Sequence, residues 1–313
     1  MINLSNDNKT LVLGTALWGW GIEQSGAHQL LDTFVNNGGR LIDTASNYPI
    51  NNHREDFGLA IRWIENWVKS NPNSELSVIV KIGAIDNTGS PDANLSSNNI
   101  ISTAGELSDR LGQALSCISV HWDNRGTEEN DLDAIENTVD AMTTLHRSGL
   151  EVGLSGIKFP SLYRKAKPEM ADKWLIQVKE NFITRKAREG YYQDFPNAKY
   201  LAYGVNLGGI KATPTEKSSS AELRKIVHSK TLIEKLTSFL DSNHKIVPRP
   251  TTLNDLALAF TYANPALCGL IIGPRNTEQL LNTLDYWNTL SNTFDSVNHT
   301  SLLTSLAEQA NHE

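Results

Sequence analysis

Eight short apolar runs alternate with helical segments along the chain, and this alternation constrains the fold more than any other feature. Strands that are separated by helices pair in parallel, because each helix carries the chain back to the edge where the preceding strand began. The predicted strands are Leu11–Gly14, Arg40–Asp43, Leu76–Ile82, Cys117–His121, Glu151–Ser155, Trp174–Val178, Lys199–Tyr203 and Leu267–Ile272. The pattern predicts an α/β fold, a (β/α)8 TIM barrel that forms a single domain over residues 1–313.

The predicted helices have apolar residues three or four positions apart, which is typical of an amphipathic helix. They are Ala27–Asn36, Glu55–Lys69, Ser102–Ala114, Asp131–Ser148, Ser161–Met170, Arg185–Phe195, Ala221–Ser242, Leu253–Tyr262 and Thr277–Leu290. Residues 204–220 are rich in glycine, lysine, serine and threonine and are predicted to be a flexible loop. Residues 291–313 are predicted to be a C-terminal tail with one amphipathic run, Ser301–Ala310.

A doubly wound sheet is the rival architecture for alternating strands and helices. Such sheets usually bind a dinucleotide through a Gly-x-Gly-x-x-Gly turn after the first strand. Here the corresponding segment, residues 14–21, reads GTALWGWG. The glycine spacing does not fit the fingerprint, and the barrel is therefore favoured.

Composition excludes several classes of protein. The net charge of −7 and the pI of about 5.7 disfavour a general nucleic-acid binder. No apolar stretch approaches the ~20 residues that span a bilayer, and the N-terminus lacks the pattern of a signal peptide, so a cytoplasmic protein without membrane contact is expected. Cys117 and Cys268 both lie in apolar runs and are predicted to be buried, reduced thiols, and no metal site is expected.

Charged and polar side chains stand at the ends of three predicted strands. Asp43, Lys81 and His121 end the second, third and fourth apolar runs, and Tyr48 lies in the loop just after Asp43. The carboxyl ends of the strands of a parallel barrel form one face, and that face carries the active site. A buried aspartate needs a cationic partner to offset its desolvation, and Lys81 is the candidate. The four side chains are therefore predicted to converge.

These four residue types form a proton relay for a carbonyl or alcohol oxygen. A tyrosine phenol has a pKa near ~10, and a close ammonium lowers it by stabilising the phenolate. A carboxylate behind the ammonium keeps it charged and oriented, and a histidine can bind the reacting oxygen or help to transfer its proton. No side chain supplies hydride, so carbonyl reduction implies a nicotinamide cofactor.

The motifs around these residues resemble those of the aldo-keto reductases. Residues 38–48 read GGRLIDTASNY and are followed by Glu55, Gly58 and Ala60, which is similar to the signature of that family. The segments VKIG at 80–83 and VHWD at 120–123 resemble its lysine and histidine strands. The motifs occur in the family's order, and the resemblance runs from about residue 10 to residue 288.

The resemblance implies a role for each residue of the site. Tyr48 would be the general acid in reduction and the base in oxidation, Lys81 paired with Asp43 would tune it, and His121 would orient the carbonyl. The resemblance also implies NADP(H) as cofactor, with NAD(H) as the alternative. The residues implied to bind it are Ser155 and Gln177 at the nicotinamide carboxamide, Tyr203 on the nicotinamide ring, and Gly273, Arg275 and Gln279 at the adenosine phosphate.

Residues that follow strand ends are predicted to form the substrate pocket. The expected pocket walls are Trp18, Trp20 and Trp122, with Asn47, Asn52, Asn124 and Arg125 on the rim. Amide and guanidinium groups beside aromatic walls favour a polyhydroxylated or anionic carbonyl compound, such as a sugar.

Two functions from different classes fit these residues. The first is an NADP(H)-dependent oxidoreductase that acts on a small-molecule aldehyde, ketone or sugar. The second is a nucleotide-binding barrel that serves as a regulatory or accessory subunit without significant turnover. A pure binding module has no need of Tyr48, which favours the enzyme. The sequence leaves the oligomeric state open.

Overall fold

Eight parallel strands close into a barrel in the order in which they occur along the chain. The computed structural model describes residues 2, 4–185, 187–213, 219–242 and 245–294, together with residues 304, 306 and 308. The strands are β1 Thr10–Gly14, β2 Leu41–Ala45, β3 Ser77–Ile82, β4 Leu115–Val120, β5 Glu151–Ser155, β6 Trp174–Lys179, β7 Lys199–Tyr203 and β8 Leu267–Ile272. The first strand pairs with the last, with Leu11 opposite Leu270. The predicted (β/α)8 barrel is therefore confirmed.

Helices follow the strands and cover the outside of the barrel. They are α1 Gln24–Asn36, α2 Leu59–Ser70, α3 Ser97–Leu111, α4 Asp131–Arg147, α5 Pro160–Ala166, α6 Ser219–Leu223, α7 Lys230–Ser242, α8 Leu253–Tyr262 and α9 Thr277–Thr293. A large apolar cluster between helices and strands includes Leu13, Leu30 and Phe34, all of them fully buried. Burial of this layer is the main favourable contribution to folding.

A second, smaller cluster fills the inside of the barrel. It contains inward-facing residues from different strands, among them Val12, Leu41 and Leu201. Cys117 and Cys268 belong to it as buried, free thiols, as predicted. Side chains alternate between the two faces of a strand. On each strand, the residue two positions after a member of this cluster therefore also points into the barrel, closer to the carboxyl end of the strand.

Two predicted helices show the largest differences in their first residue. The helix predicted at Glu55–Lys69 begins only with α2, because Gly58 adopts a left-handed conformation with a φ of 73° and separates α2 from a short 3-10 turn. The helix predicted at Ser102–Ala114 begins earlier, with α3. There the Ser96 hydroxyl accepts a hydrogen bond from the backbone N–H of Asn99 and caps the helix.

Two other predicted helices are interrupted. Ser161–Met170 divides into α5 and a 3-10 turn, because Pro168 lacks the N–H that would continue the helix. Ala221–Ser242 divides into α6 and α7, and Lys225 between them has a φ of 54°, outside the helical range.

The segment predicted as the helix Arg185–Phe195 contains only one π turn, Ala187–Tyr191. Gly190 lies in this turn and disfavours a longer helix. The Tyr191 hydroxyl accepts a hydrogen bond of 2.8 Å from the backbone N–H of Ile157, which fixes the turn against the loop after β5.

The chain after β8 differs from its prediction at one point. Helix α9 continues to Thr293, so the tail begins later than residue 291. Most of the predicted tail lies outside the described residues. Within the predicted run Ser301–Ala310, the structure describes only residues 304, 306 and 308. The same holds for residues 214–218 of the predicted loop 204–220. Among the helices that the structure describes, none combines the length and the apolar character needed to cross a bilayer.

Candidate active site

The alternation of side chains along the strands directs several polar groups into the mouth of the barrel. Leu41 and Ile79 belong to the inner cluster, and Asp43 and Lys81 follow them by two positions on β2 and β3. Gln177 on β6 likewise follows Leu175, another member of the inner cluster, by two positions. These polar residues lie at the carboxyl ends of their strands, above the apolar interior.

Asp43 and Lys81 form a buried ion pair. The Lys81 Nζ lies 2.5 Å from Asp43 Oδ2, and the two residues are 3% and 4% exposed, respectively. The Gln177 side-chain amide donates a hydrogen bond of 2.7 Å to the other carboxylate oxygen, Asp43 Oδ1. Both oxygens of the buried carboxylate are therefore bonded, as burial of a charge requires.

Tyr48 and His121 complete the cluster. The Lys81 ammonium interacts electrostatically with the Tyr48 side chain, and its nitrogen lies 5.0 Å from the centre of the tyrosine ring. The rings of Tyr48 and His121 have centroids 5.8 Å apart and meet edge to face at 80°. The structure thus brings together the four residues that the sequence predicted to converge.

The pKa of Tyr48 differs from the prediction. Lys81 lowers it, as expected, but burial raises it by more, so the pKa of Tyr48 lies above its usual value of 10.0. For Lys81, burial lowers the pKa, while the combined attraction of Asp43 and Tyr48 outweighs that effect and raises it above 10.5. The ammonium therefore stays charged, and the phenol stays protonated at neutral pH.

His121 is held as a neutral imidazole. Burial, together with the nearby positive charge of Lys81, lowers its pKa well below 6.5. Its Nδ1 atom is enclosed and has no hydrogen-bond partner within the described part of the chain. A neutral ring next to the Tyr48 phenol can bind a substrate oxygen without adding a second positive charge to the site.

One cavity of about 1930 Å³ contains all these groups and extends across the barrel mouth. Every predicted cofactor residue lines it. They are Ser155, Gln177, Tyr203, Gly273, Arg275 and Gln279. Ser155 and Gln177 are register partners on neighbouring strands, and Tyr203, at the end of β7, is 36% exposed. The cavity thus connects the tyrosine cluster to the beginning of α9.

The three predicted pocket tryptophans have different surroundings. Trp20 and Trp122 line the cavity, and Trp122 Nε1 donates a hydrogen bond of 2.8 Å to the carbonyl of Pro91. Trp18 is 0% exposed and belongs to the apolar cluster outside the barrel. Gly19, with a φ of 81°, turns the chain between Trp18 and Trp20. The prediction of a pocket wall is therefore wrong for Trp18.

The polar rim predicted for the pocket is also absent from the cavity lining. The four residues concerned are Asn47, Asn52, Asn124 and Arg125. Asn47 is 1% exposed, and Arg125 forms an ion pair with Asp123 at 2.7 Å. Near Tyr48 the lining instead includes Trp20, Ile50 and Trp122.

Arg275 lies at the far end of the cavity. Its Nη2 donates to the carbonyl of Gly21 at 2.9 Å, and its backbone N–H donates to Gln279 Oε1 at 3.0 Å. Its Nη1 is enclosed and lacks a hydrogen-bond partner among the described residues. Helix α9 begins just after it, with Asn276 as cap. A guanidinium beside a helix N-terminus suits a phosphate group.

Sequence reasoning missed two features of this site. Arg224 lines the cavity and lies close enough to Tyr48 to interact with it electrostatically. Its only sequence signal is a single arginine in a segment without motif. The contact of Gln177 with Asp43 was also missed. The contact crosses the barrel between residues that are distant in the chain, so no local sequence pattern indicates it.

Comparisons with known proteins agree with this fold. The sequence model of the Aldo/keto reductase family matches residues 10–299. Protein tas of Escherichia coli (strain K12) is 23% identical over 314 residues, 88% of each chain, and Protein tas of Shigella flexneri gives the same values. The holo form of an aldo-keto reductase from Bacillus halodurans superposes with a TM-score of 0.71 at 17% identity, covering 100% of this chain and 95% of that one. The chain belongs to the aldo/keto reductase family of oxidoreductases.

Proposed function

We propose that the protein is an NADP(H)-dependent oxidoreductase that interconverts an aldehyde or ketone with its alcohol. The observation that carries the proposal is the single cavity that joins the Tyr48 cluster to Arg275. One end offers a proton donor next to an ammonium, and the other offers an unpartnered guanidinium nitrogen. NADP(H) has a reactive nicotinamide ring at one end and an adenosine 2′-phosphate at the other, joined by a pyrophosphate, and this cavity matches that layout.

The lining residues suit such a cofactor. Tyr203 presents an exposed ring, and Ser155 and Gln177 present polar groups beside it that can bind a carboxamide. Arg275 would hold a 2′-phosphate through its guanidinium, beside the N-terminus of α9. When bound, the cofactor supplies or accepts hydride.

The protein's own groups manage the proton. In reduction, the Tyr48 hydroxyl donates its proton to the oxygen that develops negative charge, and Lys81 stabilises the resulting phenolate. In oxidation, the phenolate of Tyr48 removes the hydroxyl proton of the alcohol. Neutral His121 binds the same oxygen and orients it toward Tyr48.

Beside the charged Arg224, the lining near Tyr48 is apolar and favours a substrate with an apolar body. Trp20, Ile50 and Trp122 line the cavity, and the predicted amide rim does not. Apolar walls bind hydrocarbon or aromatic groups and gain little from hydroxyl groups. We therefore propose an aldehyde or ketone with an apolar body, in place of the sugar that the predicted rim suggested.

A panel of carbonyl compounds tests the proposal. Aromatic and long-chain aldehydes, ketones and sugars would each be offered with NADPH and with NADH, and nucleotide oxidation followed by absorbance. Turnover with NADPH and an apolar carbonyl is expected. If no compound is reduced while NADPH still binds, the accessory-subunit hypothesis replaces the enzyme.

The pKa values predict how the rates depend on pH. The pKa of Tyr48 is above 10.0 and that of His121 is well below 6.5. We expect kcat for reduction to stay level between the two pKa values. Above the pKa of Tyr48 it should fall, because the phenol loses its proton. Oxidation needs the phenolate, so its kcat rises with pH throughout this range. Steady-state profiles in both directions measure this. A reduction rate that falls between pH 6.5 and pH 10.0 would contradict the role of Tyr48.

Replacing Arg275 by methionine tests the phosphate site. Loss of a charge-assisted hydrogen bond is expected to raise the Kd for NADPH about 10- to 100-fold. The Kd for NADH should change little, because NADH lacks the 2′-phosphate. Fluorescence titration with both nucleotides measures the two constants.

Arg224→Met is the matched control for this change. It removes the same charge from the same cavity, where Arg224 interacts with Tyr48. It should leave the ratio of the two Kd values unchanged. If Arg275→Met also leaves that ratio unchanged, Arg275 does not select NADPH.

A further inference from the structure

Gln177 lies between the predicted nicotinamide site and the proton donor. We propose that Gln177 is a positioning residue for the proton transfer, which it orients through Asp43 and Lys81, besides lining the cofactor cavity. This inference rests on the proposed function, in which Tyr48 is the acid. It assigns to Gln177 a second role that its predicted contact with the carboxamide does not include.

The contacts form a chain across the barrel. Gln177 Nε2 donates to Asp43 Oδ1 at 2.7 Å, and Lys81 Nζ lies 2.5 Å from Asp43 Oδ2. The Lys81 ammonium in turn interacts electrostatically with the Tyr48 side chain, with its nitrogen 5.0 Å from the centre of the tyrosine ring. All three residues before Tyr48 in this chain are at most 4% exposed. Water therefore has little access to replace any of these bonds.

A second donor is needed to fix the carboxylate. An ion pair through one oxygen leaves Asp43 free to rotate about its side-chain bonds, and Lys81 would move with it. A hydrogen bond to the other oxygen from the opposite wall of the barrel removes that freedom. Charge-assisted hydrogen bonds of this kind are about twice as strong as neutral ones and set the geometry of the groups they join.

Ser155 provides the comparison that isolates this role. It is the register partner of Gln177, lines the same cavity and is predicted to bind the same carboxamide. No hydrogen bond or ion pair joins it to Asp43 in the described part of the chain. A variant of Ser155 should therefore disturb the cofactor alone, whereas a variant of Gln177 should disturb both the cofactor and the acid.

The first test compares Gln177→Met with Ser155→Ala in the full-length protein. Each is expected to raise the Kd for NADPH several-fold, measured by fluorescence titration. At saturating nucleotide and substrate, kcat should fall about 10- to 100-fold in Gln177→Met, because a small displacement of the acid is costly. It should fall less in Ser155→Ala, which leaves both bonds of Asp43 in place. Equal kcat values in the two variants would overturn the inference.

The second test needs neither cofactor nor turnover. Urea unfolding of the unliganded protein would be measured for Gln177→Met, Asp43→Ala and the double variant, and for the same cycle with Ser155→Ala. The loss of stability caused by Gln177→Met should be smaller when Asp43 is already absent. The Ser155 cycle should be additive. Additivity in both cycles would show that the contact carries no energy and would overturn the inference.

The two tests also separate this inference from the proposed function. If wild-type protein shows no turnover with any carbonyl, the proposed function fails, and with it the role of Gln177 in catalysis. If turnover and its dependence on Tyr48 hold while Gln177→Met behaves like Ser155→Ala, only the role of Gln177 fails.

Discussion

Replacing Tyr48 by phenylalanine is expected to lower kcat for carbonyl reduction about 10²- to 10⁴-fold, the usual contribution of a positioned general acid. The substitution removes the hydroxyl of the phenol that lies beside Lys81 and leaves the ring that packs against His121. The Kd for NADPH should therefore change little. Single-turnover kinetics and fluorescence titration measure the two quantities separately.

Tyr203→Phe is the matched control for this variant. Tyr203 lines the same cavity, and its proposed contact with the nicotinamide uses the face of the ring. Loss of its hydroxyl should leave kcat near the wild-type value. If Tyr48→Phe retained wild-type turnover, the proton would have to come from another group, and the proposed roles of Lys81 and Asp43 would lose their basis.

Replacing Lys81 by methionine should damage both stability and activity. The substitution leaves the Asp43 carboxylate buried with Gln177 as its one remaining donor among the described residues. Breaking a buried ion pair on one side costs about 3–5 kcal/mol of unfolding free energy. Turnover should also fall sharply, because the group that most stabilises the Tyr48 phenolate is then lost. Urea unfolding and steady-state kinetics provide the two measurements.

Two further variants separate these effects. Lys69→Met removes a lysine whose side chain is 65% exposed and pairs with Glu65 on the surface, so it should cost at most about 1 kcal/mol. Adding Asp43→Leu to Lys81→Met removes the uncompensated charge and should recover part of the stability without restoring turnover. An unfolding free energy for Lys81→Met equal to that of the wild type would contradict the buried pair.

The barrel and the position of its site were predictable because strand patterns are local. An apolar run that ends in Asp43, Lys81 or His121 identifies both a strand and its carboxyl end, and parallel strands bring those ends together. The family motifs added the residues that are predicted to bind the cofactor, and all of them line one cavity.

Features that depend on loop conformation or on burial were not predictable in this way. Trp18 and Trp20 look alike in the sequence, and the left-handed Gly19 between them separates a core residue from a cavity residue. The direction of the Tyr48 pKa depends on how completely the ring is buried, which no local pattern reveals. The Gln177–Asp43 contact joins strands that are distant in the chain and not adjacent in the barrel.

The most direct measurement follows deuterium from NADPH labelled at its transferable position into the alcohol product, by mass spectrometry in a single turnover. Wild-type protein should place one deuterium on the former carbonyl carbon, and Tyr48→Phe should do so about 10²- to 10⁴-fold more slowly. Alcohol without deuterium, or equal rates for the two proteins, would contradict hydride transfer assisted by the proton of Tyr48.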